Sequence, residues 1–342
     1  MLRRAGRHLG QHGRSTAKKG GLAMHSHRRR AILMGVLATA LMPALSVAQS
    51  SRRPIRFIVP SGPGGGADTF ARLFAAHMSE SMGQPIVIEN VPGAGGIVGA
   101  DRVAKSAPDG HTVLWGINPI ATMIPALQKL SYSPDELQPV TIVVSNVYVW
   151  LASPDLAAKD MAQLISLAKA KPRQLAYAST GVGSAAHLGG ALIEHQAGVE
   201  MLHVPFKNTG IAELMGGQVQ LKMEPLGSAV PLIKAGRLRA LAVTSARRLA
   251  ALPDVPAVAE TLPGYEVAGW HGIWVPAGSP TAAVELLQKE FLKAVANSDI
   301  RKRLADVGAQ PVGSSSEEMK QRIARELAQW TRVIRERNIR AE

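Results

Sequence analysis

The residues with most chemical potential sit in two glycine-rich turns. The first lies within Ile55 to Arg72, IRFIVPSGPGGGADTFAR, where an apolar run to Val59 gives way to Gly or Pro at almost every position up to Gly66, and a helical pattern starts near Asp68. Gly64, Gly65 and Gly66 carry no Cβ, so a ligand can come close to the backbone, and the free N–H groups of the helix's first turn point into the space above the strand. Those donors and the positive end of the helix dipole select an anion, carboxylate and phosphate alike. A hydrogen bond to a charged group is worth roughly 1.5–3 kcal/mol, so three or four would supply most of the ~8 kcal/mol that micromolar binding needs. Candidate contacts here are Ser61, Gly62, Gly64, Gly65, Gly66, Ala67 and Asp68.

The second turn, Ser179-Thr180-Gly181-Val182-Gly183-Ser184, follows the strand candidate Leu175–Ser179 and precedes a helix that carries His187. It repeats the same logic with hydroxyls added, which makes Ser179, Thr180, Gly183, Ser184 and His187 candidates, although Ser184 also fits a plain N-cap and His187 a packed histidine. Asn118, after the third strand, and Lys207, after Val204-Pro205-Phe206, are each able to touch a carboxylate or to serve in a solvated turn. Other chemistries fare worse. No G-x-S-x-G elbow surrounds Ser184, and no acid is evidently placed to orient His187 as a base, which argues against a hydrolase. His187 and His195 are eight apart, and no H-E-x-x-H or acidic calcium loop occurs, so no metal is expected. One rival survives on spacing alone. Gly62, Gly64 and Ala67 fit G-x-G-x-x-A, and Glu89 ends the next apolar run about where an acid would hold a ribose, the pattern of a dinucleotide site in an NAD(P)-dependent oxidoreductase. A tight loop with no ligand is the other alternative.

The elements that must position these turns alternate along the chain. Strand candidates are Ile55–Val59, Ile86–Glu89, Thr112–Trp115, Val140–Leu151, Leu175–Ser179, Met201–Val204, Gln220–Glu224, Leu238–Thr244 and Val267–Val275, with helical patterns between and after them. Such alternation predicts an α/β protein with parallel sheets covered by helices. Val140–Leu151 and Val267–Val275 exceed their neighbours, and each is long enough to leave one domain and enter another. A chain that crosses twice builds a hinge around a cleft, with one domain from residues 52–148 plus 272–342 and a second from 149–271. Ligands of open α/β sheets sit beyond the strands' carboxyl ends, so the Gly64–Gly66 turn would face that cleft.

Residues 1–48 read as an export signal. They contain nine basic residues and no acid, then an uncharged stretch from Ala31 that ends Ser46-Val47-Ala48. Arg29-Arg30 suits twin-arginine export as well as the general pathway, and Met24 is an alternative start. The net charge of +14, from 39 Lys and Arg against 25 Asp and Glu, is therefore mostly the signal's; without it the balance is 30 against 25. No nucleic-acid role follows from the basicity. With no cysteine, the chain has no disulfide, no thiolate nucleophile and no lipid-anchored cysteine. A soluble periplasmic protein is the expectation.

Taken together, the segments IRFIVPSGPGGGADTFAR, GQPIVIENVPGAGGIVGADRVAKSAPDGHTVLWG, YASTGVGSAAHL, HVPFKN, LRALAVTSARRLAALPDVPAVAE and GWHGIWVPAGSP resemble the Bug family, extracytoplasmic solute receptors of tripartite tricarboxylate transporters. The likeness runs through the whole chain after the signal, in order. It implies a two-domain periplasmic binding protein of Venus-flytrap type that closes on a small carboxylate and delivers it to membrane permease subunits, with no catalysis and no cofactor. It further implies that the turns at Ser61–Asp68 and Ser179–Ser184 grip carboxylates from opposite domains. Where the family usually carries an aromatic after the proline, a Thr before the aspartate and V-D-L-M-F-D, this chain has Ser61, Ala67 and Val219-Gln220-Leu221-Lys222-Met223-Glu224. Glu224 keeps an acid but lengthens it, which makes it a further candidate contact and leaves the ligand open. A monomer is expected; a solute sensor of the same fold is the alternative to a transport receptor.

Overall fold

The computed structural model describes residues 53–206 and 210–340. The expected export signal and Lys207 lie outside the described residues. In chain order the strands are β1 Ile55–Val59, β2 Ile86–Asn90, β3 Thr112–Ile117, β4 Leu137–Ala152, β5 Ala176–Ser179, β6 Leu202–Pro205, β7 Leu221–Pro225, β8 Arg239–Val243, β9 Ala268–Pro276 and β10 Ala309–Pro311. The helices are α1 Gly66–Met82, α2 Ile97–Ala104, α3 Asn118–Thr122, α4 Ile124–Leu127, α5 Met161–Ala170, α6 Ala185–Ala197, α7 Ile211–Met215, α8 Leu226–Lys234, α9 Thr281–Ala296, α10 Ser298–Asp306 and α11 Ser316–Glu336.

The strands join in the order β2-β1-β3-β9-β4-β7-β5-β6, with β8 and β10 also pairing with β4. The expected parallel pairing holds on the two flanks, at β1–β2, β1–β3, β5–β6 and β5–β7. The centre differs. There β9 is antiparallel to both β3 and β4, and β7, β8 and β10 are antiparallel to β4. The chain runs out along β4 and comes back along β9, so these neighbours must point in opposite directions. The length predicted for β4 follows from its sequence, VTIVVSNVYVWL, apolar on both faces and rich in β-branched residues. Its pairing register shifts at Pro139/Thr141 and Ile142/Val144 against β9, and at Trp150/Leu151 against β8. Pro139 has no N–H to give to a ladder, so one irregularity falls where the chemistry requires it, and each shift bends the strand.

Those bends let β4 join two groups of strands, with β1, β2, β3, β9 and β10 on one side and β5, β6, β7 and β8 on the other. The return path also links the groups, because Val267 N–H donates to Thr244 O just before β9 begins. Each group has its own core. In the first, Phe57, Phe74, Trp115 and Phe291 are nested at centroid separations between 5.2 and 6.4 Å. In the second, Trp150, Tyr177, Tyr265, Leu188 and Met223 are packed together, and Trp150 Nε1–H donates to Tyr265 Oη. Each buried aromatic is worth roughly 1.5–3 kcal/mol against leaving it exposed.

Helix α11 serves both cores. Ser315 and Glu318 form a capping box at its start. Met319 lies against Trp270 and Trp274, whereas Trp330, Val333 and Ile334 enter the core of the second group. Residues 272–342 were expected to belong wholly to the first domain, yet this helix's last turns pack in the other group's core.

Backbone also meets backbone where α8 crosses the turn before β10. A Cβ built on Gly227 would lie 2.1 Å from the carbonyl oxygen of Val307, a contact that no rotamer relieves. Gly227→Ala is expected to destabilise the protein by about 2–4 kcal/mol through forced separation of α8 from that turn. The midpoint of urea unfolding, compared with that of Gly216→Ala, a glycine at φ −83 whose added Cβ would meet nothing closer than 3.4 Å, checks this; equal midpoints would contradict the close approach.

Candidate functional site

A cavity of about 900 Å³ opens between the two strand groups. From the second group, its wall takes Thr180, Val182, Gly183 and Ser184 of the second glycine turn, Ala185 and Ala186 of α6, and Lys222 to Pro225 of β7. From the first come Ala94 and Gly95, Ile117, Pro119, and Ile124, Leu127 and Gln128 in and beside α4, with Tyr148 of β4 at the junction.

The second turn is held by its own side chains. Gly181 N–H donates to Ser179 Oγ at 3.0 Å, Ser184 N–H to Gly181 O at 3.2 Å, and Gly183 N–H to His187 Nδ1 at 3.0 Å. Ser184 caps α6 by accepting from His187 N–H. His187 and His203 stack with centroids 3.8 Å apart and planes 11° apart, and His203 Nε2 contacts Ser179 Oγ. Gly183 sits at φ 77, with the Leu127 side chain where a Cβ would otherwise stand. Ser179 and His187 therefore shape the turn from beneath, and the Gly183 amide is already engaged. The first-turn N–H groups of Ala185 and Ala186 have no intramolecular acceptor among the described residues; both residues line the cavity. They are open donors at a helix start, the kind of group that the sequence pattern suggests for this turn.

The first turn is placed differently. Gly62, Gly64, Gly65 and Gly66 are exposed, and none of the residues from Ser61 to Asp68 lines the cavity. Asp68 is 2% exposed and accepts from Gly64 N–H, from Arg72 and from Asn90. The Arg72 hydrogen bond, joined by those from Gly64 and Asn90, holds its carboxyl at about 2 against the opposing effect of burial. Asp68 thus anchors the loop, with both carboxylate oxygens engaged inside the protein and its charge balanced by Arg72. Ala67 is buried beside it. Asn118 is engaged in the same way: its Oδ1 accepts from Trp270 N–H and its Nδ2 donates to Ala268 O, so its amide ties α3 to β9. Glu89, the acid needed by the dinucleotide reading, is ion-paired with Arg56 and Arg102.

Two contributors escaped the sequence reading. Ala94 and Gly95 line the cavity with φ of 46 and 66, and Ala94 adopts this left-handed backbone without being a glycine. Lys222 is 3% exposed in β7, two residues before Glu224. It pairs with Glu224, whose Oε1 accepts from Ser228 Oγ at 2.7 Å. A second charge two residues before Glu224, on the same face of the strand, was the available signal. Glu224, 8% exposed, does line the cavity, and burial, helped by the Glu224 charge, pushes the Tyr148 phenol up to about 12. Among the described residues no group of three His, Asp or Glu side chains could hold a metal, and no helix is long and apolar enough to cross a membrane.

Comparison with known proteins agrees in kind. A family model described as tripartite tricarboxylate transporter family receptor matches residues 70–339. The protein BugT of Bordetella pertussis is 33% identical over 320 residues, covering 92% of this chain and 98% of BugT. Among solved structures, Rpa4515 of R. palustris with adipate has a TM-score of 0.71 at 34% identity, covering 84% of this chain and 98% of that one. MatC from Rhodopseudomonas palustris with bound malate has a TM-score of 0.68 at 34% identity, covering 83% and 99%.

The stacked histidines make stability depend on acidity. Burial lowers His187, His203 and His271 from 6.5 to about 4, with the His203 charge adding to the effect at His187. Between those values the unfolded chain binds more protons than the folded one, so stability is complete above 6.5 and falls as pH drops towards 4. The urea midpoint should decline across that window, less steeply in His203→Phe, which keeps a ring against His187. A midpoint flat over the window would show that the buried pair is not neutral.

Proposed function

This chain belongs to the tripartite tricarboxylate transporter receptor family and is a solute-binding receptor, and we propose that it captures a small organic carboxylate in the cavity between its strand groups and delivers it to the permease of a tripartite transporter. The observation that carries the reading is the α6 start. Two unengaged amides and a helix dipole face a cavity of about 900 Å³ whose remaining wall is largely apolar. Related receptors at 34% identity hold adipate and malate, both carboxylates. The export pattern of residues 1–48 supports a periplasmic site of action, and binding as a monomer without a cofactor is part of the proposal. Nothing in the cavity pairs a nucleophile with a base: Ser184 Oγ caps α6, and His187 Nδ1 is occupied by Gly183 N–H.

The two strand groups serve as the two domains in this reading, with β4 and the return through Val267 as the hinge. Closure would bring the exposed Gly62 and Gly66 over the cavity mouth, so that the first turn meets a ligand already seated on α6. This sequence of events explains why one turn lines the cavity and the other stands open beside it.

Purified protein, unfolded and refolded to remove any carried ligand, should bind at least one member of a panel of C4–C6 mono-, di- and tricarboxylates by calorimetry. Failure across the panel would overturn the receptor reading. Gly65→Val then tests closure. Gly65 has φ −70, so valine fits the backbone, but its side chain would stand where the ligand must be approached. Affinity should fall by more than about tenfold with the melting temperature little changed, and unaltered affinity would leave the first turn out of the site.

A further inference from the structure

We infer that Lys222 is a specificity-determining residue that holds a second acidic group of the ligand, making the preferred solute a diacid with a short methylene spacer. This inference rests on the receptor reading above and goes beyond it to the ligand's far end.

An ammonium has three N–H donors. Two of those on Lys222 are engaged: one by the Glu224 carboxylate, one by Met223 O at 3.3 Å. No partner for the third exists among the described residues. The side chain is 4% exposed, so bulk water does not supply one freely, and Lys222 lines the cavity. A donor left over on a buried cation costs free energy unless something in the cavity accepts it, and in such surroundings a charged acceptor is favoured over a neutral one.

Glu224 sharpens the argument. It balances the lysine, which is what permits a charged group at this depth, and both its oxygens already accept, from Ser228 and from Lys222. The open valence of the pair is thus the donor on Lys222. An acid group meets a complementary partner there, whereas the ammonium of an amino acid meets a carboxylate whose charge Lys222 already balances and lies beside a like charge. The chemistry along the wall matches: amide donors at Ala185 and Ala186 take the first carboxylate, Ile124, Leu127 and Met223 offer apolar surface to methylenes, and Lys222 takes the second carboxylate.

Calorimetry on refolded protein with chain-matched probes tests this: pentanoate, glutarate and glutamate, and the pair hexanoate and adipate. The wild type should bind the diacid at least about tenfold more tightly than the monoacid of equal length, and more tightly than glutamate. In Lys222→Met/Glu224→Gln, which removes both charges together and leaves neither buried alone, the ratio of diacid to monoacid affinity should fall about tenfold or more. Lys222→Met alone is the second variant, with melting temperature measured for both. No binding of any carboxylate by the wild type would fail the receptor reading itself. Equal binding of mono- and diacid, tighter binding of glutamate, or a diacid preference that survives in folded variants would each overturn the role of Lys222 while the receptor reading stands.

Discussion

The pairing of β4 with strands on both sides is the constraint on which the rest of the structure depends. Sixteen residues, mostly buried, must satisfy ladders to β9 and β10 at one end and to β7 and β8 at the other. A straight strand would make one continuous flat sheet. The register shifts bend it, the sheet parts into two groups with separate aromatic cores, and the space between their carboxyl ends becomes the cavity. The cavity is therefore a product of strand geometry, and its chemistry comes from whatever loops the two flanks present to it.

Those loops follow one rule with two outcomes. Each glycine turn ends a parallel strand and opens a helix, and each is stiffened by a side chain from that helix accepting a turn amide: Asp68 for Gly64, His187 for Gly183. A carboxylate does this in the first turn, a neutral imidazole in the second. The difference matters for an anion. The second turn faces the cavity and carries no fixed negative charge beside its open amides, while the first turn's Asp68 is balanced by Arg72.

Much of this was legible in the chain. Strand positions followed from apolar periodicity, with helical patterns between and after them. The short helices α3 and α4 were not read, since four or five residues beginning near a proline leave no period to detect. The antiparallel centre was missed because alternation of strand and helix says nothing about a strand that folds back after 115 residues. At the site, Thr180, Gly183 and Ser184 of the second turn line the cavity, while Ser179 and His187, named with them in the sequence, do not. Asp68 and Asn118 were read as ligand contacts because polar residues beside glycine turns look the same whether they face a ligand or tie down backbone; only their partners, Arg72 and Asn90 for one and Trp270 and Ala268 for the other, tell the two apart. Lys222 went unread because its alternation with Leu221 and Met223 is also the pattern of a strand with one solvated face.

The course of α11 bears on how the molecule moves. One unbroken helix has Met319 seated in one core and Trp330 in the other, and Arg337 beyond it grips Glu194 of α6. A rod fixed at both ends does not shorten, so the two halves cannot simply slide towards each other. In the closure proposed above they would pivot about a line close to that rod, and the side of the molecule farthest from it would sweep the greatest arc.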